Sequence, residues 1–228
     1  MCTVSYIPTS EGFFLTSNRD EDPGRKTLPI QDITLTNGEQ LKAPVDFKGG
    51  GSWMASNQSG KVACLLNGAF VKHKREPPYR KSRGQFVFEA FKNSSFSEFI
   101  EKTDLENIEP FTIILIDDFL QVMIWDGQTK HRLIFDKNTS HIWSSSTLYT
   151  QEEHIKKYYY FMDSIKSMKP TSEEILKMHG LQSKTPFILD LVHVKTVSIT
   201  QFSMNAKKRE LTYHLVKEKK DIQKKVLY

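Results

Sequence analysis

Cysteine is almost missing from this chain of 228 residues: Cys2 and Cys64 are the whole complement. Two are too few for a disulfide framework. One stands at the second residue and the other inside the apolar run VACLL, and both are expected as thiols in a reducing compartment. Long apolar runs are also lacking. Nothing approaches the 18 or so residues of a membrane-spanning helix, and the longest stretches, such as FTIILI at Phe111–Ile116, have strand length. The opening MCTVSYIPTSEGFF has no basic segment leading into an apolar one, so no secretory signal and a cytoplasmic location are expected. Nucleotide and metal signatures are missing too. Lys48-Gly49-Gly50-Gly51-Ser52 lacks the spacing of a phosphate loop, and no dinucleotide-binding glycine motif occurs. The histidines at 73, 131, 141, 154, 179, 193 and 214 show neither metalloprotease nor zinc-finger spacing. Each is expected as a surface or packed residue, with no metal and no cofactor.

What is present is an ordinary globular composition, 38% hydrophobic and 26% charged. A chain of this length buries roughly 70% of its unfolded surface and needs no disulfide or metal to hold it. The net charge of +5 is local. Lys217 to Lys225 carries +3 and Lys72 to Arg83 carries +5, which leaves the remainder at −3. The terminal lysines, at about 217–228, read as a solvated basic tail. The 72–83 cluster reads as a basic loop or as an anion-binding rim. Neither has the helix-borne or aromatic base readers of a nucleic-acid binder, and no nucleic-acid partner is expected.

Residues 2–7 and 13–17, joined by the turn chemistry of Pro8 to Gly12, predict a hairpin at the start of the chain. Residues 18–50 are broken by Pro23, Gly24, Pro29, Asn37-Gly38 and Pro44, and predict a long surface excursion with one strand at Ile33–Thr36. GGGSWMASNQSGKVACLLNG predicts strand, turn at Ser59-Gly60 and strand, buried on both faces. A helix over Ser82–Lys92 and a shorter one over Ser95–Lys102 follow. Four strands come next, at 111–116, 120–125, 131–135 and 140–144. Thr150 and Glu153 form a capping-box pattern. It opens a helix whose apolar stripe, Ile155, Tyr158, Tyr159, Met162 and Ile165, is expected in the core. A helix over Ser172–His179 stops at Gly180, and a hairpin of 196–203 with 209–215 ends the pattern. With no repeat or linker, residues 1–228 are expected as a single α+β domain of mainly antiparallel sheets with outer helices.

The chemistry centres on Cys2. Removal of the initiator methionine would leave a free α-amine, with a pKa of about 7.7–8.0, on the same residue as a thiol near 8.5. A neutral amine can take the thiol proton, so one residue supplies both nucleophile and base. Asn18-Arg19-Asp20-Glu21 follows the second strand of the hairpin, and the returning strand brings Asp20 within reach of the amine. A carboxylate there orients the amine while favouring its charged form, so it acts by positioning. Arg19 suits lowering the thiol pKa or gripping a substrate carboxylate. Asn67, at the end of a buried strand before Gly68, suits donation to an oxyanion as well as plain turn chemistry. Trp53 is a core wall or a substrate shelf.

MCTV, NRDE at 18–21, Arg25, GGGSWMASNQSGKVACLLN and KSRGQF, in this order, resemble the NRDE family, also called the transport and Golgi organisation protein 2 family. FTIILIDDFLQVMIWDG and WSSSTLYT extend the resemblance over most of the chain. The resemblance implies similarity to N-terminal nucleophile hydrolases of the cysteine type, which include bile-salt hydrolases and penicillin V acylases. It implies a four-layer αββα sandwich, with Cys2 as nucleophile and base, Asp20 holding the amine and Asn67 in the oxyanion hole; the arginine of this site is then Arg19. Asn18, Trp53, Arg83 and Ser145 are then expected to line the substrate. Two positions depart from those hydrolases: Ser17 stands where they carry arginine, and Ser145 stands nearest their second catalytic asparagine.

The expected function is hydrolysis of a linear or non-peptide C–N amide bond in a small-molecule substrate, through a thioester on Cys2. The alternative implied by the family is a non-catalytic carrier that binds haem or another hydrophobic acidic ligand; a third reading is a module whose site has decayed. Oligomeric state stays open.

Overall fold

The computed structural model describes residues 3–216 and the backbone of 222–227. Cys2 lies outside the described residues, as does the start of the lysine-rich tail. The chain divides into two compact units, one made of residues 1–25 and 138–228, the other of residues 26–137.

The first unit holds a six-stranded sheet. Its strands are β1 (Thr3–Thr9), β2 (Gly12–Glu21), β10 (His141–Ser144), β11 (Lys195–Met204), β12 (Arg209–Leu215) and β13 (Ile222–Leu227), in the spatial order β10-β1-β2-β11-β12-β13. All neighbours pair antiparallel. The opening hairpin forms as expected, with Ile7 opposite Phe14 and Val4 opposite Ser17. Two helices belong to this unit: α3 (Gln151–Ser167) and α4 (Ser172–Met178).

The second unit holds a seven-stranded sheet in sequence order: β3 (Thr27–Thr34), β4 (Gln40–Asp46), β5 (Met54–Asn57), β6 (Val62–Asn67), β7 (Phe111–Ile116), β8 (Leu120–Trp125) and β9 (Lys130–Phe135). It also carries α1 (Gln85–Glu89) and α2 (Phe96–Lys102). β5 is buried throughout, and β6 at every residue but Asn67, as the small and apolar residues of that stretch predict.

Four expectations are corrected. Residues 18–50 are not a loop. β2 runs on through the buried Asn18-Arg19-Asp20, and β3 and β4 form a hairpin. The breakers are turns between strands: Gly38, at φ +85°, closes one by donating to the Leu35 carbonyl at 2.9 Å. Pro29 lies where the β3–β4 register shifts, on an edge strand, the position that tolerates a missing N–H. The helix predicted over Ser82–Lys92 shrinks to α1 and a 3-10 turn at Ala90–Lys92. Its entry, Gly84, is pressed against another backbone: a Cβ on Gly51 would stand 2.4 Å from the Gly84 carbonyl carbon, and Ser52 N–H donates to the Gly84 carbonyl at 3.0 Å.

The third correction concerns α3. Thr150 and Glu153 do form a capping box. The predicted stripe, however, is split: Ile155 and Tyr158 are 49% exposed and Tyr159 is 63% exposed, while Met162 and Ile165 pack against the core. The buried positions are Lys157 and Phe161, four residues apart on one face. Phe161 packs with Ile7, Ile175, Met178 and Phe187. The seam was hidden because one of its members is a lysine. The last correction is at the tail, where the backbone of 222–227 adds a strand, β13, to the sheet beyond β12.

Among the described residues no helix is long and apolar enough to cross a membrane.

Candidate active site

In the first unit, the β1–β2 register pairs Val4 with Ser17, so the Thr3 end of β1 lies where β2 runs on into Asn18, Arg19 and Asp20. On the other side of β2 lies β11, with Ser198 opposite Arg19, Thr196 opposite Asp20 and a bulge between Thr196 and Ser198. The bulge re-aims a side chain. Thr196 Oγ1 donates to Asp20 Oδ1 at 2.5 Å, and itself accepts the Leu189 N–H at 2.8 Å, which fixes the direction of its proton. The second carboxyl oxygen, Asp20 Oδ2, accepts from the Tyr149 hydroxyl at 2.5 Å. Asp20 is 2% exposed. A buried acceptor held by two hydroxyls is rigid and dry, which suits a positioning group.

Tyr149 also carries a cation. Lys157 Nζ stands 3.1 Å from its ring centroid and donates to Thr3 Oγ1 at 2.7 Å. Lys157 is 3% exposed. Its charge is compensated in part by the ring face.

Asn18 is fully buried, and its amide is engaged on three sides. Nδ2 donates to the carbonyls of His179 at 2.9 Å and Phe187 at 3.0 Å, and Oδ1 lies 2.5 Å from His179 Nδ1. His179 Nε2 meets Ser5 Oγ at 2.7 Å. The ring is completely buried, and its pKa falls from the usual 6.5 to about 3, first because burial disfavours the imidazolium and second because Lys157 repels it. Arg19 is buried too, with Glu21 Oε2 3.6 Å from its guanidinium. Ser145 is buried after β10, its Oγ 2.9 Å from Thr147 Oγ1.

In the second unit, Asn67 closes β6 opposite Phe111. Gly68, at φ +84°, donates its N–H to the Pro110 carbonyl at 3.0 Å. Arg83 Nη1 donates to the same carbonyl at 3.1 Å. The Pro110 carbonyl is thus shared by Arg83 and by Gly68, the residue after Asn67. Arg83 Nη2 also lies 3.4 Å from Glu109 Oε2, while Arg75 and His73 reach Glu109 Oε1 at 3.1 and 3.3 Å. Arg80 pairs with Asp104 and Lys81 with Glu89. Much of the basic 72–83 cluster is therefore neutralised within the unit. Trp53 is buried, and its carbonyl accepts the Leu65 N–H at 2.8 Å.

Tyr149, Lys157, His179 and Thr196 were not singled out by sequence. Lys157 did leave a signal, a lone lysine four residues before Phe161 in an otherwise apolar register. Thr196 left none, because only the bulge aims it.

The fold is that of N-terminal nucleophile hydrolases. The chain is similar to a solved mutant conjugated bile acid hydrolase from Clostridium perfringens, with TM-score 0.68 and 12% identity over 100% of this chain and 92% of that one. A second variant of that hydrolase aligns with TM-score 0.66, at 12% identity over 99% and 92% of the chains. The Caenorhabditis elegans orthologue of an N-acylethanolamine-hydrolysing acid amidase aligns with TM-score 0.60 at 12% identity, over 88% of this chain and 92% of that one. The two antiparallel sheets with few helices are accordingly those of the αββα class expected from the sequence. A comparison with curated protein sequences returned no match. The chain belongs to the Transport and Golgi organisation 2 family, whose sequence profile matches residues 1–222.

Proposed function

We propose that this protein is an N-terminal nucleophile hydrolase that cleaves a linear, non-peptide C–N amide bond in a small-molecule substrate through a thioester on Cys2. The observation that carries the reading is Asp20: buried, with each oxygen held by a hydroxyl, on the strand whose register meets the Thr3 end of β1. Cys2 is bonded to Thr3, one Cα step of about 3.8 Å away.

In this reading the Cys2 α-amine, oriented by Asp20, takes the thiol proton. Sulfur then bonds to the substrate carbonyl carbon, and Asn67 with backbone N–H groups receives the developing oxyanion. The C–N bond breaks, and the leaving amine departs with the proton. Water adds to the thioester, and the acid leaves as the thiol is restored. Arg19 favours the thiolate. Trp53, Arg83 and Ser145 are assigned to substrate binding in the same reading. Asn18 serves by holding β2 in place, since its amide is spent on His179 and Phe187.

The solved relatives act on a conjugated bile acid and on an N-acylethanolamine, so amides that join an acyl chain to a small amine are the substrates to try. Intact mass should show Met1 removed. Cys2→Ala should abolish turnover on any amide the native protein cleaves and leave the circular dichroism spectrum unchanged; Cys2→Ser should keep a trace. An Ala variant with full activity rejects the mechanism. A haem complex formed by a protein whose Cys2 ignores acylating probes replaces the hydrolase with a carrier.

A further inference from the structure

At one end of the seven-stranded sheet, exposed apolar side chains and unpaired lysines stand together. β4 and β6 both run antiparallel to β5, which lies between them, so they run the same way and finish at the same end, at Asp46 and Asn67. Phe47 and Lys48 follow the first strand, and Phe70, Val71 and Lys72 follow the second. Lys26 precedes β3 at that end, since Thr27 stands opposite Asp46. β9 starts there as well, and the Phe70 ring meets the ring of His131, the second residue of β9, edge-on at 5.0 Å.

The apolar residues of these turns are left in water: Phe47 is 60% exposed, Phe70 58% and Val71 75%. The basic residues divide into two sets. His73, Arg75 and Arg83 are taken up by Glu109, Arg80 by Asp104 and Lys81 by Glu89. Lys26, Lys48, Lys72 and Lys74 are exposed, and among the described residues none of the four has an ion-pair partner. Lys26 Nζ lies 4.9 Å over the Phe47 ring, so cation and apolar tip are neighbours. In the segments 47–53 and 68–84 the one acidic residue is Glu76.

We propose that this end of the sheet docks on an anionic lipid bilayer, with Phe70 and Val71, and Phe47 on the neighbouring turn, entering the headgroup region while Lys26, Lys48, Lys72 and Lys74 meet the lipid phosphates and carboxylates. The assignment is independent of the hydrolytic reading. Exposed apolar side chains mark interaction sites when they gather on one surface, and lysines beside them add attraction to a negatively charged leaflet. A protein partner fits less well, because the cores of protein interfaces are poor in lysine. Single-stranded nucleic acid stacks its bases on rings, and Val71, the most exposed of the three apolar residues, has none.

The test is co-sedimentation of the whole protein with extruded vesicles, either phosphatidylcholine alone or phosphatidylcholine with about 30% phosphatidylserine. The anionic vesicles should pellet the protein at low salt and the neutral ones should not. Raising the salt to about 1 M, where charges are screened within ~3 Å, should release most of it. Phe70→Ser combined with Val71→Ser should weaken binding by about tenfold or more, through the apolar area that no longer leaves water. Lys72→Gln combined with Lys74→Gln should weaken it by about twenty-fold, each lysine near a charged leaflet contributing about fivefold. Native protein that stays in the supernatant with anionic vesicles at low salt overturns the proposal, and that result needs no variant to fold. So does a Phe70→Ser, Val71→Ser protein with an unchanged circular dichroism spectrum that pellets like its parent. Binding that is lost on Lys219→Gln with Lys220→Gln and unmoved by the variants at 70–74 also overturns it, and assigns the attraction to the lysine-rich tail.

Discussion

His179 and Asn18 lock each other: the histidine's Nδ1 meets the asparagine's Oδ1 at 2.5 Å, while the asparagine's Nδ2 donates to the histidine's own carbonyl at 2.9 Å. The pair ties the end of α4 to β2 beside Asp20. Burial holds the imidazole neutral, with a pKa of about 3 in place of 6.5. Below pH 6.5 the unfolded chain binds a proton that the folded chain refuses. The stabilisation is therefore complete above pH 6.5 and lost progressively as pH falls toward 3. This histidine should add roughly 1.4 kcal/mol per pH unit to the acid slope of stability across that window. Urea melts from pH 7 to pH 4 should show the slope, and His179→Gln should flatten it.

Tyr149→Phe removes one of the two hydroxyls on Asp20 without changing the shape of the ring. Stability should fall by about 1–3 kcal/mol, the cost of leaving a buried acceptor short of a donor. On a cleavable amide, kcat should fall by a factor on the order of ten to a hundred, because a base held loosely is misplaced for much of the time. Thr196→Val should do the same from the opposite oxygen. Chemical melts and steady-state kinetics on the same preparations check both effects.

The rotation of α3 makes a plain contrast. Tyr159→Ser, on the outward stripe, should change stability by no more than about 0.5 kcal/mol. Phe161→Ala, among Ile7, Ile175, Met178 and Phe187, should cost about 3–5 kcal/mol. Equal costs in thermal or urea melts would return the aromatic stripe to the core.

Gly51→Ala should lower stability by about 1–3 kcal/mol or more through overpacking. Its Cβ would stand 2.4 Å from backbone that belongs to Gly84, and backbone has no rotamer with which to withdraw. Gly24→Ala, whose nearest neighbour is a side-chain oxygen of Asp22 at 3.3 Å, is the control that should be nearly silent.

Most strands were legible because their side chains alternate or run apolar between turn residues, as in Met54–Asn57 and Val62–Asn67. Breakers misled at residues 18–50, where Pro23, Gly24 and Asn37-Gly38 are the corners of strands rather than a loop. Periodicity misled in α3, since apolar spacing reports a buried face only when that face is wholly apolar, and Lys157 breaks the pattern. In the site, Asp20 could be foreseen from the return of the hairpin. Tyr149 and Thr196 could not, because each reaches Asp20 from a distant part of the chain, at separations of 129 and 176 residues.

Those separations bear on the order in which the protein is made. The hairpin of β1 and β2 is made before its neighbours β10 and β11, which come only at residues 141–144 and 195–204. During synthesis the opening strands have no flanking partners, and the groups that grip Asp20 do not yet exist. The hydroxyl pair around Asp20 is therefore assembled only once residue 196 has emerged.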